Sequence, residues 1–392
     1  MKNFILFDEP LARQKLWPLS ATRPIAKFRV GIDTLAEKWE FHLKQKPSFL
    51  TQKYLSKKFE VVYGAINIYV NSSYIANEKL ANSILDLKIN EALFEGENLV
   101  ALHVAEQYDY PLNIDFTNIN KKIISTNSIA IGQLSDLFIY NGKLLEVDFQ
   151  RFATNNTSQK VKDPFTVLYN EDQIFIGKNV NIKSAILDAS LGPIYIDDNA
   201  TIEIGAMLQG PIYLGKNSII SLGAKIRHNT TIGPYCKVGG EISKSIIFGY
   251  SNKSHDGFMG CSVIGEWCNW GAGTNNSNLK NDYSQVNMFD YSAKKLMPTG
   301  QLFAGTIMGD YSKTAIGTQF NTGTVVGISA NIFQLGFPAK YLPHFIWGGS
   351  EKDSEKYRLA KAIEVIIATM ARRNVEITAA EIEILNYLFN DN

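Results

Sequence analysis

Large aliphatic residues recur at every sixth position through the middle of the chain. The unbroken series consists of Ile196, Ile202, Leu208, Leu214, Ile220, Ile226, Ile232 and Val238. A helix repeats at about 3.6 residues and a half-buried strand at about 2, so neither explains this period. A six-residue period is typical of a parallel β-helix, in which three short strands form one coil with one inward aliphatic side chain per face. We therefore predict β-helical coils from about residue 174 to about residue 338.

The six-residue phase is lost twice within this region. It fails between residues 241 and 259, and again between residues 275 and 303. Interruptions of a solenoid are usually loops that project from one corner, and such loops often carry function. They are equally compatible with tolerated insertions that have no role.

The first 130 residues have a different pattern, in which strand-like runs alternate with helix-like stretches. The apolar runs cover residues 4–7, 66–70 and 99–104, and the helix-like stretches cover residues 33–43 and 78–87. This alternation predicts a small α/β layer. Residues 134–149 are interpreted as a connector. The predicted domains are therefore an α/β domain at 1–150 and a β-helical domain at 165–347.

Helical periodicity returns in the last segment, residues 350–392. Apolar residues at three- and four-residue spacing, from Leu359 to Met370, predict one helix. A second helix is predicted to begin at Thr378, which forms a capping-box pattern with Glu381, and to bury Ile382, Leu385 and Leu388. We expect this tail to pack on the coils or on a neighbouring subunit.

Composition excludes several classes of function. Lys and Arg total 39 against 38 Asp and Glu, a formal charge of +1, which disfavours binding to nucleic acid or to an anionic membrane. The first residues lack a secretory core, and no apolar stretch approaches a membrane span of about 18 residues. The three cysteines lack the spacing of a zinc site, so no metal is predicted. A reduced, cytoplasmic protein is expected.

One stretch of the β-helical region resembles a known acetyltransferase signature. It runs from Ser254-His255-Asp256-Gly257-Phe258 through Asn269-Trp270-Gly271-Ala272-Gly273-Thr274 to Asn278. Proteins related to GlmU, which fuse a sugar-1-phosphate nucleotidyltransferase to a left-handed β-helix of hexapeptide repeats with acyltransferase activity, place a histidine shortly before such an asparagine-rich GAGT run. The chain resembles a divergent branch of this family with a shortened first domain. The resemblance implies a homotrimer with acetyl-CoA, or another acyl-CoA, bound between subunits.

The resemblance also implies a role for each matching residue. His255 falls on the general base, and Asn278 on an asparagine that holds the reacting groups. The remaining matches are Arg227 and Lys244 for the sugar phosphate, Asn269 and Phe258 for the substrate, and Gly271, Ala272 and Gly273 for acyl-CoA. Acyl transfer from a thioester to a sugar amine needs a base active near neutral pH, which suits imidazole. Alternatively, Arg227 is simply solvated and Asn269 belongs to an asparagine ladder at a coil corner.

Two departures from the signature affect the choice of substrate. The family usually has tyrosine three residues after the histidine, whereas Phe258 has no hydroxyl. A serine that contacts coenzyme A in the family falls on Ile316. The acceptor sugar and the binding of the donor are therefore left open.

The N-terminal half resembles the nucleotidyltransferases less closely. Their first strand leads into a glycine-rich turn that ends GTRLxPLT and cradles the nucleotide phosphates. Here Lys15-Leu16-Trp17-Pro18-Leu19-Ser20 matches the end of that motif, but no glycine occurs between Phe7 and Lys15. The catalytic lysine falls on Ile25, and the turn that would supply a magnesium ligand appears as Asn71-Ser72-Ser73, without a carboxylate. Arg13, Lys15 and Arg23 form either a cationic mouth for a nucleotide sugar or a solvated basic face.

The sequence therefore predicts CoA-dependent acyl transfer, most simply acetyl transfer, to an amino group of a phospho-sugar or nucleotide sugar. One alternative is a sugar-1-phosphate nucleotidyltransferase, with magnesium, whose β-helix is only an oligomerisation scaffold. Another is a sugar-nucleotide-binding module without catalysis.

Overall fold

The computed structural model describes residues 2–125, 128–350 and 354–391. Its N-terminal part is a six-stranded mixed sheet in the order β2-β1-β3-β5-β4-β6. The strands are β1 (Asn3–Phe7), β2 (Ser48–Leu50), β3 (Asn67–Asn71), β4 (Glu91–Glu95), β5 (Asn98–Val104) and β6 (Asn120–Ile124). Helices α1 (Pro10–Lys15), α2 (Leu35–Leu43) and α3 (Glu78–Leu85) accompany it, with short 3-10 helices at Ile25–Lys27 and Lys53–Leu55. The predicted α/β layer is confirmed.

The segment interpreted as a connector is a long helix, α4 (Leu134–Asn155). A capping box between Gln133 and Asp136 begins it. One face carries apolar residues such as Phe149, which joins Phe175, Tyr195 and Tyr213 of the coils in one buried cluster. The predicted connector thus takes the form of a helix, whose apolar residues form a stripe that packs on the coils.

The central part is a parallel β-solenoid with three faces, which confirms the predicted architecture. Face A contains the strands Val167–Tyr169, Ile186–Asp188, Met207–Gln209, Lys225–Ile226, Glu241–Ser243, Phe258–Gly260, Asn275–Asn276 and Gln319–Phe320. Face B contains Ile174–Ile176, Ile194–Ile196, Ile212–Leu214, Thr230–Ile232, Ile246–Gly249, Val263–Glu266, Ile307–Met308, Val325–Val326 and Tyr341–Leu342. Face C contains Asn181–Ile182, Thr201–Ile202, Ile219–Ile220, Lys237–Val238, Asn252–Lys253, Lys313–Thr314, Asn331–Ile332 and Ile346–Trp347, to which Glu355–Lys356 is added antiparallel. A 3-10 helix at Glu171–Gln173 joins the first strands of faces A and B.

The inward row of the solenoid is the predicted aliphatic series. All eight side chains from Ile196 to Val238 are buried, none more than 1% exposed. Pairing is in register, with Ile202 opposite Ile220 and Ile220 opposite Val238. Stacked corners also lie very close together, since a Cβ added to Gly215 would approach the backbone of Gly233 to 2.6 Å. The six-residue period therefore arises because each face of each coil buries one side chain of this series.

The first interruption of the six-residue phase is not a loop. The strands continue through residues 241–259, but the coil is shorter: Ile232 pairs with Ile247, fifteen positions later, whereas Ile202 pairs with Ile220 after eighteen. Tighter corners shift the phase without ending the pairing. The second interruption does project from the solenoid, as an antiparallel hairpin of Asn287–Asp290 and Lys295–Pro298.

Both predicted C-terminal helices are present, as α5 (Leu359–Ala371) and α6 (Ala379–Asn390), and the Thr378–Glu381 capping box is confirmed. They pack on coil residues that include Trp267, Tyr311 and Phe345, in a cluster that also contains Leu55 of the N-terminal part. Within α6, Leu385 and Leu388 are buried as predicted, but Ile384 takes the buried place expected for Ile382. The tail therefore joins both parts of the molecule. Among the residues that the structure describes, no helix has the length and apolarity that a membrane span requires.

Candidate functional site

His255 occupies a solenoid corner between face C and face A. It lies between the strands Asn252–Lys253 and Phe258–Gly260 and is exposed. Its carbonyl oxygen accepts a hydrogen bond from Lys253 Nζ at 3.0 Å. The ring itself bonds to no residue that the structure describes, so both nitrogens remain available to a substrate. The corner is part of a regular coil and not of a projecting loop.

Phe258 and Asn278 meet beside Gly260, one strand length from His255. A Cβ on Gly260 would approach the Asn278 amide nitrogen to 2.5 Å and the Phe258 ring to 2.6 Å, so the glycine leaves room for both side chains. The Asn278 amide nitrogen contacts Cys261 Sγ at 3.6 Å. Sulfur is a weak acceptor, and this contact leaves the amide free to donate to an oxygen atom of a substrate.

Arg227 and Lys244 occupy the opposite edge of face A, where the coils turn toward face B. Both are exposed, and Arg227 pairs with Glu241 at 3.2 Å. The backbone N–H of Lys244 donates to the carbonyl oxygen of His228 at 3.1 Å. Burial, with the charges of Lys244 and Arg227, lowers the pKa of His228. Three basic side chains therefore share this edge, close to Cys261 and Asn278.

His228 lies outside the matched signature and was not predicted at this edge. Its Nδ1 atom is buried without a partner among the described residues. The one available signal was its position directly after Arg227.

The structure does not bring Asn269 to this group. Asn269 lies on face C, where it bridges in parallel to Asn252 and Lys313. Its N–H donates to Ser312 and its carbonyl accepts from Thr314. These main-chain bonds place Asn269 in the strand pairing of face C.

The Gly271–Gly273 run forms the next corner along the same edge as His255. A Cβ on Gly271 would lie 2.6 Å from the backbone of Ala315, so this glycine is required by coil stacking. Gly273 has a φ of +70°, which favours glycine, and it is exposed beside Gly317. Small exposed residues at successive corners leave the backbone open to a ligand.

Asp8 fills the end of β1, where a nucleotide phosphate would be expected. Its carboxylate is 1% exposed and accepts four hydrogen bonds. The donors are Ile25 N at 2.9 Å, Ser72 Oγ at 3.0 Å, Arg13 at 2.7 Å and Thr51 Oγ1 at 2.6 Å. These donors come from the carboxyl ends of neighbouring parallel strands and the following turns, the usual ligand edge of such a sheet. The protein therefore supplies its own anion at this edge.

The expected cationic mouth is not formed. Arg13 is 1% exposed and pairs with Asp8, and Arg23 pairs with Asp310 and Glu266 of the solenoid. Burial lowers the pKa of Arg23, but the two carboxylates outweigh it, and the net shift is upward. Only Lys15 of the three predicted residues stays half-exposed, near Asp290 of the hairpin. The sequence did not predict these buried ion pairs, because their acidic partners cannot be recognised from local sequence.

The residues at this edge do not fit a magnesium ion. The turn after β3 consists of Asn71, Ser72 and Ser73, and Asn71 Oδ1 accepts from Ser73 at 2.7 Å. The nearby carboxylate, Asp8, is already fully bonded to protein donors. A divalent cation needs free oxygen ligands, and Arg13 already neutralises this carboxylate.

A cavity of about 590 Å³ adjoins the same edge. It is lined by residues from α1, the N-terminal loops, the hairpin and the C-terminal end, among them Arg13, Trp17, Lys53, Tyr110, Tyr291 and Lys294. Arg13 Nε and the Tyr110 hydroxyl are buried there without partners among the described residues. The cavity combines aromatic and basic side chains, as a site for an anionic aromatic ligand requires.

The cysteines take no part in either region as nucleophiles. All three are buried and free. Burial raises the pKa of Cys236 and of Cys268 to about 12. Thiols of this kind stay protonated near neutral pH.

Comparisons with known proteins agree with the resemblance predicted from the sequence. The model of the family described as sugar nucleotidyl transferase matches residues 4–157. The "Bifunctional protein GlmU" of Methanococcus aeolicus is 31% identical over 293 residues, 72% of this chain and 61% of the relative. The "Bifunctional sugar-1-phosphate nucleotidylyltransferase/acetyltransferase" of Sulfurisphaera tokodaii is 28% identical over 316 residues, 71% of this chain and 75% of the relative. The predicted similarity to GlmU-related bifunctional proteins is confirmed.

A second GlmU, from Methanococcus maripaludis, is 34% identical over 50% of this chain and 46% of its own length. The chain therefore spans about three fifths of the M. aeolicus relative and about half of the M. maripaludis relative. Among solved structures, the polySia-specific acetyltransferase NeuO aligns with 16% identity and a TM-score of 0.22, over 50% of this chain and 84% of that one. The Arabidopsis UDP-N-acetylglucosamine acyltransferase aligns with 15% identity and a TM-score of 0.24, over 54% and 78%.

Proposed function

We propose that this protein is a transferase that moves an acyl group, most simply acetyl, from acyl-CoA to an amino group of a phospho-sugar or nucleotide sugar. The observation that carries the proposal is the grouping along face A. An imidazole, a free amide and two exposed cations lie on four consecutive coils, at the two edges of face A. The similarity to GlmU-related proteins supports the same assignment.

In the proposed reaction, His255 is the catalytic base. Its free ring nitrogen takes a proton from the acceptor amine as the amine nitrogen attacks the thioester carbon. Asn278 and backbone N–H groups donate to the oxygen of the tetrahedral intermediate as its negative charge develops. The intermediate then collapses, the carbon–sulfur bond breaks, and the imidazolium returns a proton to the leaving thiolate.

Arg227 and Lys244 hold the phosphate in this proposal. Among the described residues, the Arg227 guanidinium pairs with Glu241 alone, and a dianionic phosphate displaces this exposed pair at little cost. Phe258 offers an apolar surface where the family usually places a hydroxyl, so the acceptor has no partner for one hydrogen bond there. This difference favours an acceptor other than glucosamine 1-phosphate.

The donor is proposed to lie along the corners of Gly271, Ala272 and Gly273. Acyl-CoA is the donor substrate, and its thioester must reach His255 on the neighbouring corner. Gly273 N donates to the carbonyl oxygen of Asp256 at 3.1 Å, which joins the two corners directly. Ile316, where the family has a serine, is exposed beside this run and offers an apolar contact.

A homotrimer is proposed from the outer surface of face A. Its first coils expose Val167, Ile186 and Met207 in one row, with Tyr169 beside them, and this apolar strip is one that a second copy would cover. The row continues on the next coil to Lys225, two positions before Arg227. A cleft between copies along face A would therefore contain the acceptor site.

The test is acyl transfer from acetyl-CoA to a panel of amino sugars, each offered with and without a phosphate. We expect transfer only to phosphorylated or nucleotide-linked acceptors. Arg227→Ala should raise the acceptor KM more than it lowers kcat, with Lys225→Ala as the matched control on the same strand. If no acceptor in the panel is acylated, the proposal fails.

A second candidate is nucleotidyl transfer by the N-terminal part, which the family match over residues 4–157 favours. The self-supplied anion Asp8 and the lack of free magnesium ligands argue against it. We infer instead that the cavity beside Arg13 and Trp17 binds a nucleotide sugar without chemistry. Pyrophosphate release from a sugar 1-phosphate and a nucleoside triphosphate with magnesium would refute this inference. Stabilisation by a nucleotide sugar without turnover would support it.

A further inference from the structure

Lys253 lies in the inward-facing row of face C, where neighbouring coils place aliphatic side chains. It pairs with Val238, which in turn pairs with Ile220, and both are fully buried. Lys253 itself is 2% exposed. An ammonium group in an aliphatic row is costly unless its hydrogen bonds repay the burial. The position therefore requires a specific explanation.

The ammonium group joins two successive corners of the solenoid. Lys253 Nζ donates to the carbonyl oxygens of Gly239 and His255, both at 3.0 Å. It sits directly beneath the first corner, because a Cβ on Gly240 would approach it to 2.9 Å. The corner that carries His255 is thus tied from inside to the corner of the preceding coil.

Other corners along this edge are joined by the main chain. Gly223 N donates to Ile204 O at 3.0 Å, and Gly317 N donates to Ala272 O at 2.7 Å. The His255 corner is joined to the following corner in the same way, by Gly273 N and Asp256 O. Toward the preceding corner, by contrast, the link is a side-chain ammonium that bonds the carbonyl groups of Gly239 and His255. The bond is charge-assisted and therefore stronger than a neutral one.

We propose that Lys253 is a positioning residue for His255: it fixes the carbonyl group of His255 and thereby the direction in which the imidazole leaves the corner. Lys253 contacts the main chain of His255 and not the ring, so it acts through the backbone. The kinetic readout of this inference rests on the proposed acyl transfer, whereas its structural readout rests only on the contacts of Lys253.

The same contacts give the corner a dependence on pH. Burial lowers the pKa of Lys253 to about 8, and the nearby carboxylate of Asp256 offsets this only in part. Asp256 and His255 are the ionisable side chains of the corner, while Val238 and Gly240 on the adjoining coil do not titrate. As pH rises through about 8 the ammonium becomes an amine, and both bonds to carbonyl oxygens weaken.

The kinetic test compares Lys253→Met with Lys237→Met, a matched change at the neighbouring face C strand. At pH 7 we expect Lys253→Met to lower kcat by about tenfold and leave the acceptor KM within about twofold, because the phosphate contacts lie at the other edge of face A. In the wild type, kcat should fall between pH 7 and 9. Lys253→Met should not show this fall, whereas Lys237→Met should show it. A Lys253→Met variant with wild-type kcat and pH profile would overturn the proposal.

Hydrogen-exchange mass spectrometry supplies a readout that needs no activity. In Lys253→Met, amides of residues 254–258 should exchange about tenfold faster, with residues 221–224 unchanged as the internal reference. If that variant does not fold, the wild type serves alone: protection of 254–258 relative to 221–224 should fall between pH 7 and 9. Equal relative protection at both pH values contradicts the positioning role. A wild type that shows the exchange effect but no acyl transfer contradicts only the proposed function.

Discussion

At the scale of single residues, the N-terminal part is defined by Asp8. A carboxylate with four protein donors occupies the place where related enzymes would need room for phosphate. The absence of glycine between Phe7 and Lys15 was visible in the sequence, but the reason for it was not. Burial of Asp8 with Arg13 explains it: the turn is built around an internal ion pair.

Removal of the Asp8 charge should destabilise the fold strongly. Asp8→Asn leaves Arg13 buried without its counter-ion, and we expect the free energy of unfolding to fall by about 3 kcal/mol. Urea denaturation measures this, with the exposed Asp115→Asn as control, for which a change below about 0.5 kcal/mol is expected. Equal stability of Asp8→Asn and wild type would show that the pair is not structural.

The arginines show how far sequence reasoning reaches at this scale. The basic character of Arg13 and Arg23 and their positions near the matched motif favoured a cationic mouth. The partner of Arg23, Asp310, lies 287 positions away and becomes adjacent only when the solenoid docks. Long-range ion pairs of this kind leave no local signal.

At the scale of elements, the six-residue period predicted the solenoid because each coil buries one side chain per face. The same period suggested a loop at residues 241–259, where the strands in fact continue through shortened corners. The coil corners can lose residues without loss of strand pairing. The interruption at 275–303 does project from the solenoid, but its hairpin was not predicted. The capping box of α6 was recognisable, since it depends on neighbouring residues.

The docking of α6 should depend on pH through Glu381. Burial opposes ionisation of this carboxyl, but Lys58 and Thr378 outweigh it, so that its pKa lies below the ordinary value of 4.5. The stability it contributes is therefore present above about pH 4.5 and is lost as pH falls through the lowered pKa. Glu381→Gln should be less stable than wild type by about 1 kcal/mol at pH 7, because the Lys58 pair is partly solvated.

Thermal unfolding at pH 7 and pH 3 measures this difference. The gap between Glu381→Gln and wild type should narrow at the lower pH. The exposed Glu383→Gln on the same helix is the matched control and should show no such change. A gap that is constant with pH would mean that the charge of Glu381 does not stabilise the docked helix.

At the scale of the whole molecule, the parts are joined by buried contacts. Arg23 of the N-terminal part pairs with Asp310 and Glu266 of the coils, and the stacked rings of Tyr54 and Tyr387, 4.2 Å apart, join it to α6. The N-terminal part thus packs along face B, against strands from Thr230–Ile232 to Val325–Val326. The architecture was predictable from sequence, whereas this docking was not.

Self-association should depend on the apolar strip of face A. Light scattering should give a mass near three times the 43.8 kDa chain for the wild type. Ile186→Asp places a charge at the centre of the strip and should shift the protein to monomers, with loss of acyl transfer. Ile123→Asp, at another exposed apolar residue on β6, is the control and should remain trimeric. A wild type that is monomeric at micromolar concentration would contradict the trimer.

The most direct test of the account is acetyl transfer by His255→Ala, with acetyl-CoA and the acceptor that the wild type uses best. His42→Ala, on α2 and remote from face A, is the matched control and should retain full activity. We expect kcat for His255→Ala to fall by about 10²–10⁴ with little change in acceptor KM, since general-base catalysis is lost while the phosphate contacts remain. Undiminished acetyl transfer by His255→Ala would contradict the assignment.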